Sequence, residues 1–196
     1  MLEALLQLDR TLFLLINGAH AFWLDPIMKG VSASYTWIPL YILLLALFFR
    51  SLSQKQALMA IGAVLLCFLL TDRTSVLLFK EVFCRLRPSH EPTLKGLVHL
   101  LESSGGLYGF VSSHAANLFG LATLSSLILR KKWVKWSLFL IVSIIGYSRV
   151  YVGKHYPLDV LCGALLGALI GWIIFKLYTW ICSLFSTTNP PVPTGT

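Results

Sequence analysis

The sequence predicts an all-α integral membrane protein: a bundle of five to six transmembrane helices with an N-terminal helix that is amphipathic or a short span. Composition gives the first reason. Of 196 residues, 57% are hydrophobic and only 12% charged, about half the charged share of a soluble domain, and the mean hydropathy is +0.77. The second reason is that apolar runs recur at lengths able to cross roughly 30 Å of hydrocarbon. Lipid offers the backbone no hydrogen-bond partner, so such runs are expected as helices rather than open sheet. The length suits one domain, residues 1–185, and the Pro- and Thr-rich 186–196 reads as a disordered tail.

Along the chain, Leu2 to Ile16 repeats apolar residues at near-helical spacing, interrupted by Glu3, Asp9 and Arg10. An interfacial helix is expected there, with a sixth short span as the alternative. Glu3 and Asp9 occupy the place of a basic n-region, so this is not a secretory signal. The spans come at about 31–49, 58–79, 115–129, 134–151 and 157–182. The third reaches full length only if Ser113 and His114 begin its helix. The last is long enough to tilt or emerge.

Arg50 and Lys55 lie between the first two spans, and Arg130, Lys131, Lys132 and Lys135 between the third and fourth. The positive-inside rule places both loops in the cytoplasm. The connection 80–113 and the turn 149–156 then fall on the opposite face, where their cations run against the rule unless a site requires them. A net charge of +8 invites a nucleic-acid reading. No basic stretch is interleaved with aromatic residues outside the membrane edges, so anionic lipid is the expected partner. The four cysteines show neither a CxxC nor a Cys/His metal spacing and read as small core residues.

Three polar clusters stand at the edges of apolar runs. In Lys80-Glu-Val-Phe-Cys-Arg-Leu-Arg87-Pro88, the two outer cations are seven apart, near two helical turns, and Arg73 continues the series. One helix face carrying Arg73, Lys80 and Arg87 into the bundle is expected, with Pro88 ending the helix and Asp72 in a buried pair. Ser112-Ser113-His114 reads as a helix start, and a helix N-terminus is also an anion site. In Ser148-Arg149…His155-Tyr-Pro157-Leu-Asp159, Pro157 fits a first helical turn and Asp159 lies four residues after His155. That carboxylate can hold one ring nitrogen of His155 and leave the other free to attack, while Arg149 offers a planar fork for phosphate oxygens. Together the clusters supply the cations, imidazoles and hydroxyls that phosphoryl transfer needs.

At these residues the chain resembles the type 2 phosphatidic acid phosphatase (PAP2) family, whose pattern is K-x6-R-P, then P-S-G-H, then S-R-x5-H-x3-D. Lys80 to Arg87-Pro88 matches the first element and Ser148-Arg149 to His155 and Asp159 the third. Val111-Ser112-Ser113-His114 stands for the second without its Pro and Gly. The resemblance covers roughly residues 60 to 175. It implies a catalytic set in which His155 forms a phosphohistidine, Asp159 orients it and His114 protonates the leaving oxygen. Lys80, Arg87, Ser112, the Ser113 N–H and Arg149 are then the phosphate ligands. It implies no metal and no cofactor, and the substrate is a membrane lipid phosphate, of the undecaprenyl diphosphate, phosphatidylglycerol phosphate, phosphatidic acid or lipid A class. Ser113 in place of glycine is tolerable if only its N–H matters, and strained if the backbone needs positive φ. His20, His90 and His99 match no motif and read as loop or interfacial residues. The rival reading is a carrier or non-catalytic binder of phosphorylated lipids, although no inverted repeat is visible.

Overall fold

The computed structural model describes residues 1–186; the tail expected beyond Ser186 lies outside them. Helices run α1 (Leu2–Gly18), α2 (Asp25–Ser32), α3 (Ile38–Ser51), α4 (Gln54–Thr74), a single-turn α5 (Glu81–Phe83), α6 (Ser113–Leu129), α7 (Lys132–Tyr151) and α8 (Pro157–Ser186). Among the described residues four helical stretches are long and apolar enough to cross a membrane: Ser34–Ser51, Gln54–Phe83, Lys132–Tyr151 and Pro157–Phe185. Ser113–Leu129 is a shorter apolar helix, and it does begin at Ser113 under a Ser112 cap. The five expected runs are therefore five helices.

α6 is central. Apolar residues lie around its whole circumference, as a helix surrounded by others requires, and Ala115, Ala116, Leu118, Leu121, Ala122 and Leu124 are all buried. Its partner α8 carries Gly163, Gly167 and Gly171 at four-residue intervals. A Cβ on Gly163 would stand 2.5 Å from the Ser112 carbonyl oxygen and one on Gly171 2.6 Å from that of Gly120, while Gly167 abuts the Ala116 carbonyl. Small residues in this register let two backbones approach within the membrane, where packing rather than water expulsion drives association. The contact fixes the start of α6, and so Ser112 to His114, against the first turns of α8.

The chain reverses at two ends. At one, the α3–α4 and α6–α7 connections meet, where Lys131 Nζ donates to Ser51 Oγ at 2.9 Å. Ser53 begins α4 with a reciprocal capping box to Gln56. At the other end lie all three polar clusters. α1 crosses this end: Asp9 accepts from Leu158 N–H at the head of α8, and Asn17 donates to the Tyr151 carbonyl at the foot of α7. It buries Asp9, Phe13 and Asn17, one stripe at helical spacing, with Leu5, Leu8, Leu12 and Leu15 exposed. That is the pattern of an amphipathic helix packed by one stripe against the polar end of the bundle.

The single helix face expected for Arg73, Lys80 and Arg87 does not form. Ser75–Lys80 is a π-helical segment, which shifts the angular phase of the residues after it. The helix then ends at Phe83 with Cys84 in a left-handed cap at φ 47°, before Pro88. Asp72 and Arg73 are exposed, and neither forms an ion pair among the described residues, which corrects the buried pair expected for Asp72. Arg87 reaches the site from an extended segment instead.

Candidate active site

Each functional side chain is set by an element end. After Cys84 the chain pairs with a later segment: Arg87 N–H donates to the Leu107 carbonyl at 3.1 Å, and Gly109 N–H to the Arg85 carbonyl at 2.8 Å. Arg87 Nε donates to the Tyr108 carbonyl at 3.2 Å. Gly109 is closely approached here: a Cβ would stand 3.1 Å from both Arg87 Cγ and Asp159 Oδ2 and would push on both side chains. Lys80, from the π-helical segment, donates to Ser113 Oγ at 2.7 Å, and Ser75 Oγ lies 2.6 Å from the same hydroxyl.

Ser112 is fully buried. Its Oγ accepts from Ala115 N–H and its N–H donates to the Asp159 carbonyl at 2.9 Å. The hydroxyl that stands among the cations is therefore that of Ser113, while Ser112 joins the starts of α6 and α8. Ser113 does not have positive φ; Cys84 and Arg130 are the non-glycine residues that do among those described. Serine thus fits where the motif has glycine, and its side chain adds a hydroxyl beside Lys80.

His155 and Asp159 stand at the head of α8, both buried. His155 Nδ1 is 3.5 Å from Asp159 Oδ2, longer than a hydrogen bond, and Nδ1 has no closer polar partner. Burial pushes the His155 imidazole down to about 4, with Asp159 opposing and the Arg87 and Arg149 charges adding to the effect. Burial thus favours the neutral imidazole, the form in which a ring nitrogen can attack. His114, in the first turn of α6, has a buried Nε2 with no protein partner, a ring position free to give or take a proton.

Arg149, at the foot of α7, donates to the Ser32 carbonyl at 3.2 Å and to its hydroxyl. It also lies 3.7 Å from Glu102 Oε2, which accepts from Lys154 Nζ at 2.9 Å. Burial works to raise the Glu102 carboxyl, but Lys154, Ser32 and Arg149 outweigh it and hold the group below its ordinary range. Glu102 thus brings the segment between Pro88 and Ser112 against Arg149 and Lys154.

Two functional residues were hidden from the motif. Arg85 donates from Nη1 to Asp159 Oδ1 at 2.8 Å and from Nη2 to Asp9 Oδ2 at 2.6 Å, with its guanidinium 4.3 Å above the Tyr156 ring. Asp159 is thus held by Arg85 on one oxygen and by Tyr156 N–H at 3.0 Å on the other. The available signals were an Asp within a largely apolar helix and an Arg two residues before the motif's own. At the same end, the ligand atoms of His20, Asp25 and His99 lie within 4.8 Å of one another, a grouping their sequence spacing conceals.

The description PAP2 superfamily fits residues 56–182. A Porphyromonas gingivalis lipid A 4'-phosphatase is 37% identical over 97% of this chain and 81% of its own. A Sulfolobus acidocaldarius undecaprenyl-diphosphatase is 34% identical over 84% of this chain and 74% of its own. The crystal structure of a transmembrane PAP2 type phosphatidylglycerolphosphate phosphatase from Bacillus subtilis superposes with a TM-score of 0.68 at 26% identity, covering 95% of this chain and 90% of that one. With the motif residues gathered at one end of the helical bundle and a family match over most of its length, this chain belongs to the PAP2 superfamily.

Proposed function

We propose that this integral membrane enzyme removes phosphate from a lipid A-type glycolipid through a phosphohistidine at His155. The observation that carries the chemistry is the convergence of a neutral, buried imidazole backed by a carboxylate with Lys80 and the Ser113 hydroxyl at a helix N-terminus. His155 Nε2 attacks phosphorus while Asp159 faces Nδ1, and the bond to the lipid oxygen breaks as His114 protonates it. A water then attacks the phosphohistidine with His114 taking its proton, releasing inorganic phosphate and restoring both rings. Lys80, Arg87, Arg149 and the Ser113 N–H and hydroxyl stabilise the charge on the three equatorial oxygens, while Ser112, expected from the motif as a further ligand, is spent on capping α6.

The glycolipid assignment is supported by the lipid A 4'-phosphatase at 37% identity. The lipid A 4'-phosphatase aligns over 97% of the chain, which leaves no room to omit α1, the helix tied to the site through Asp9. Isoprenyl diphosphate is the second reading, supported by the undecaprenyl-diphosphatase at 84% coverage. Phosphate release from a panel of lipid phosphates in mixed micelles, with and without chelator, decides between them. Preference for a phosphorylated glucosamine lipid with activity retained in EDTA is expected; preference for prenyl diphosphate selects the second reading, and loss reversed by Mg²⁺ rejects the metal-free chemistry.

The site is proposed to face the extracytoplasmic side of a bacterial inner membrane, since the basic loops lie at the opposite end of the bundle. Single cysteines at Lys55 and Glu91 in a background without native cysteine test this. An impermeant thiol reagent on whole cells should label position 91 and spare 55; the reverse inverts the topology.

A further inference from the structure

We propose that His20, Asp25 and His99 bind one divalent transition-metal ion of the Zn²⁺ type, clipping the α1–α2 connection to the segment that carries Glu102. None of the three belongs to the phosphate site, so this metal site is independent of the phosphatase reading.

His99 Nε2 and Asp25 Oδ2 are 2.9 Å apart, and the three ligand atoms lie within 4.8 Å of one another. Ligands on a tetrahedral zinc, each about 2.0–2.1 Å away, stand about 3.3 Å apart. Closing the remaining gap requires one movement. The His20 and His99 rings are stacked, 3.8 Å between centroids and 14° between planes, and ring-nitrogen lone pairs lie in the ring plane, so one ring must turn. His20 is exposed in the connection and is the ring free to do so.

The other two ligands are held from behind. Asp25 Oδ1 accepts from the Tyr151 hydroxyl at 2.8 Å, which itself accepts from Ala21 N–H at 3.0 Å. His99 is fixed at its backbone by Asn17, whose Oδ1 accepts from His99 N–H and whose Nδ2 donates to His99 C=O, both at 2.8 Å. Outer partners of this kind orient ligands and raise metal affinity. Two imidazoles and one carboxylate suit zinc rather than Mg²⁺ or Ca²⁺, which prefer oxygen sets, and three protein ligands leave a tetrahedral position for water or an anion.

A clip here holds the segment just before Leu101, whose N–H donates to the Val152 carbonyl at 3.3 Å, and Glu102, which pairs with Lys154. Its effect is on the rigidity of that segment, not on bond breaking.

The test uses the full chain in detergent, in a His114→Ala/His155→Ala background so that the site imidazoles hold no metal. Zn²⁺ is titrated against a chromophoric competing chelator after the protein has been stripped. One equivalent should bind, and Zn²⁺ but not Mg²⁺ should raise Tm. His20→Ala should weaken binding at least about 10-fold and abolish the Tm rise, with the metal-free Tm unchanged because the ring is exposed. His90→Ala, on a different turn, should bind as the parent does. Absence of stoichiometric binding, or binding undiminished by His20→Ala, overturns the proposal and leaves an Asp25–His99 hydrogen bond with a histidine stacked upon it.

Discussion

Replacing Arg85 with Gln removes the one cation that joins two enclosed carboxylates. The side chains of Asp9 and Asp159 are 1% and 0% exposed, and that of Arg85 20%. Without the guanidinium, two buried anions face each other. Breaking a buried pair by removing one partner costs about 3–5 kcal/mol. The lower end applies here, because Leu158 N–H at 2.8 Å and Tyr156 N–H at 3.0 Å still support the carboxylates. Asp9, raised above its ordinary range chiefly by burial with Arg85 opposing, will also take up a proton rather than stay charged. A loss of about 3 kcal/mol corresponds to a Tm lower by about 6–12 °C for a chain of this size. Both Nη atoms of Arg85 are occupied by carboxylates, so its role is to position Asp159, and the kinetic loss should fall on kcat, about 10²-fold for a displacement near 1 Å, with KM little changed. Asp9→Asn should be milder, since Arg85 keeps Asp159. The double variant should show about 1–2 kcal/mol of coupling. Thermal unfolding in detergent and initial rates of phosphate release measure both effects. Wild-type Tm and kcat in Arg85→Gln would rule out this positioning role, as would a loss confined to KM.

Arg87→Lys should lower kcat/KM by about 10-fold or more despite retained charge, because an ammonium cannot present a planar fork to two phosphate oxygens, while Arg50→Lys should be silent; equal kinetics for Arg87→Lys and wild type would reduce Arg87 to a structural residue. His155→Ala should abolish turnover on every substrate, whereas His114→Ala should lose about 10²–10⁴-fold on an alkyl phosphate and far less on p-nitrophenyl phosphate, whose leaving group departs unprotonated. Substantial activity in His155→Ala, or an acid-labile phosphate trapped on His114, would exchange their roles. Because His155 is pushed down to about 4 from the ordinary imidazole value, it stays unprotonated as pH falls through 6, so its acid limb in kcat/KM should lie near 4. The same shift means that the unfolded chain takes up a proton the folded one refuses, so stability should fall between about pH 6.5 and 4; an acid limb at 6.5 would show His155 to be solvated.

Much of the fold was legible because lipid imposes a length on each apolar run, and length survives in the sequence. Helix phase does not survive in the same way. The series Arg73, Lys80 and Arg87 looks like one face, yet the π-helical segment Ser75–Lys80 and the cap at Cys84 change the phase without altering hydropathy. The motif residues could be read from spacing because each is tied to an element end. Arg85 and Asp9 could not, because their partnership spans 76 residues and depends on how α1 crosses the bundle. The sequence does not mark Glu102 either, since nothing local signals its approach to Lys154.

The charges at this end explain why cations are tolerated on the face opposite the basic loops. Arg85 is satisfied by Asp9 and Asp159, and Lys154 by Glu102, which Arg149 shares at longer range. Lys80 and Arg87 are different. Their hydrogen bonds go to the Ser113 hydroxyl and the Tyr108 carbonyl, and among the described residues no carboxylate lies within ion-pair distance of either. Two uncompensated cations and a third only partly neutralised make a place for an anion of about two charges, the charge of a phosphate monoester near neutral pH. In the proposed reaction Arg85 serves the carboxylate that positions His155, and Lys80, Arg87 and Arg149 are left for the substrate phosphate. By satisfying Asp159, Arg85 keeps that carboxylate from capturing the cations that phosphate needs, and Asp9 holds Arg85 in place, which is how an arginine two residues before the motif's own, and an aspartate from α1, form part of the site.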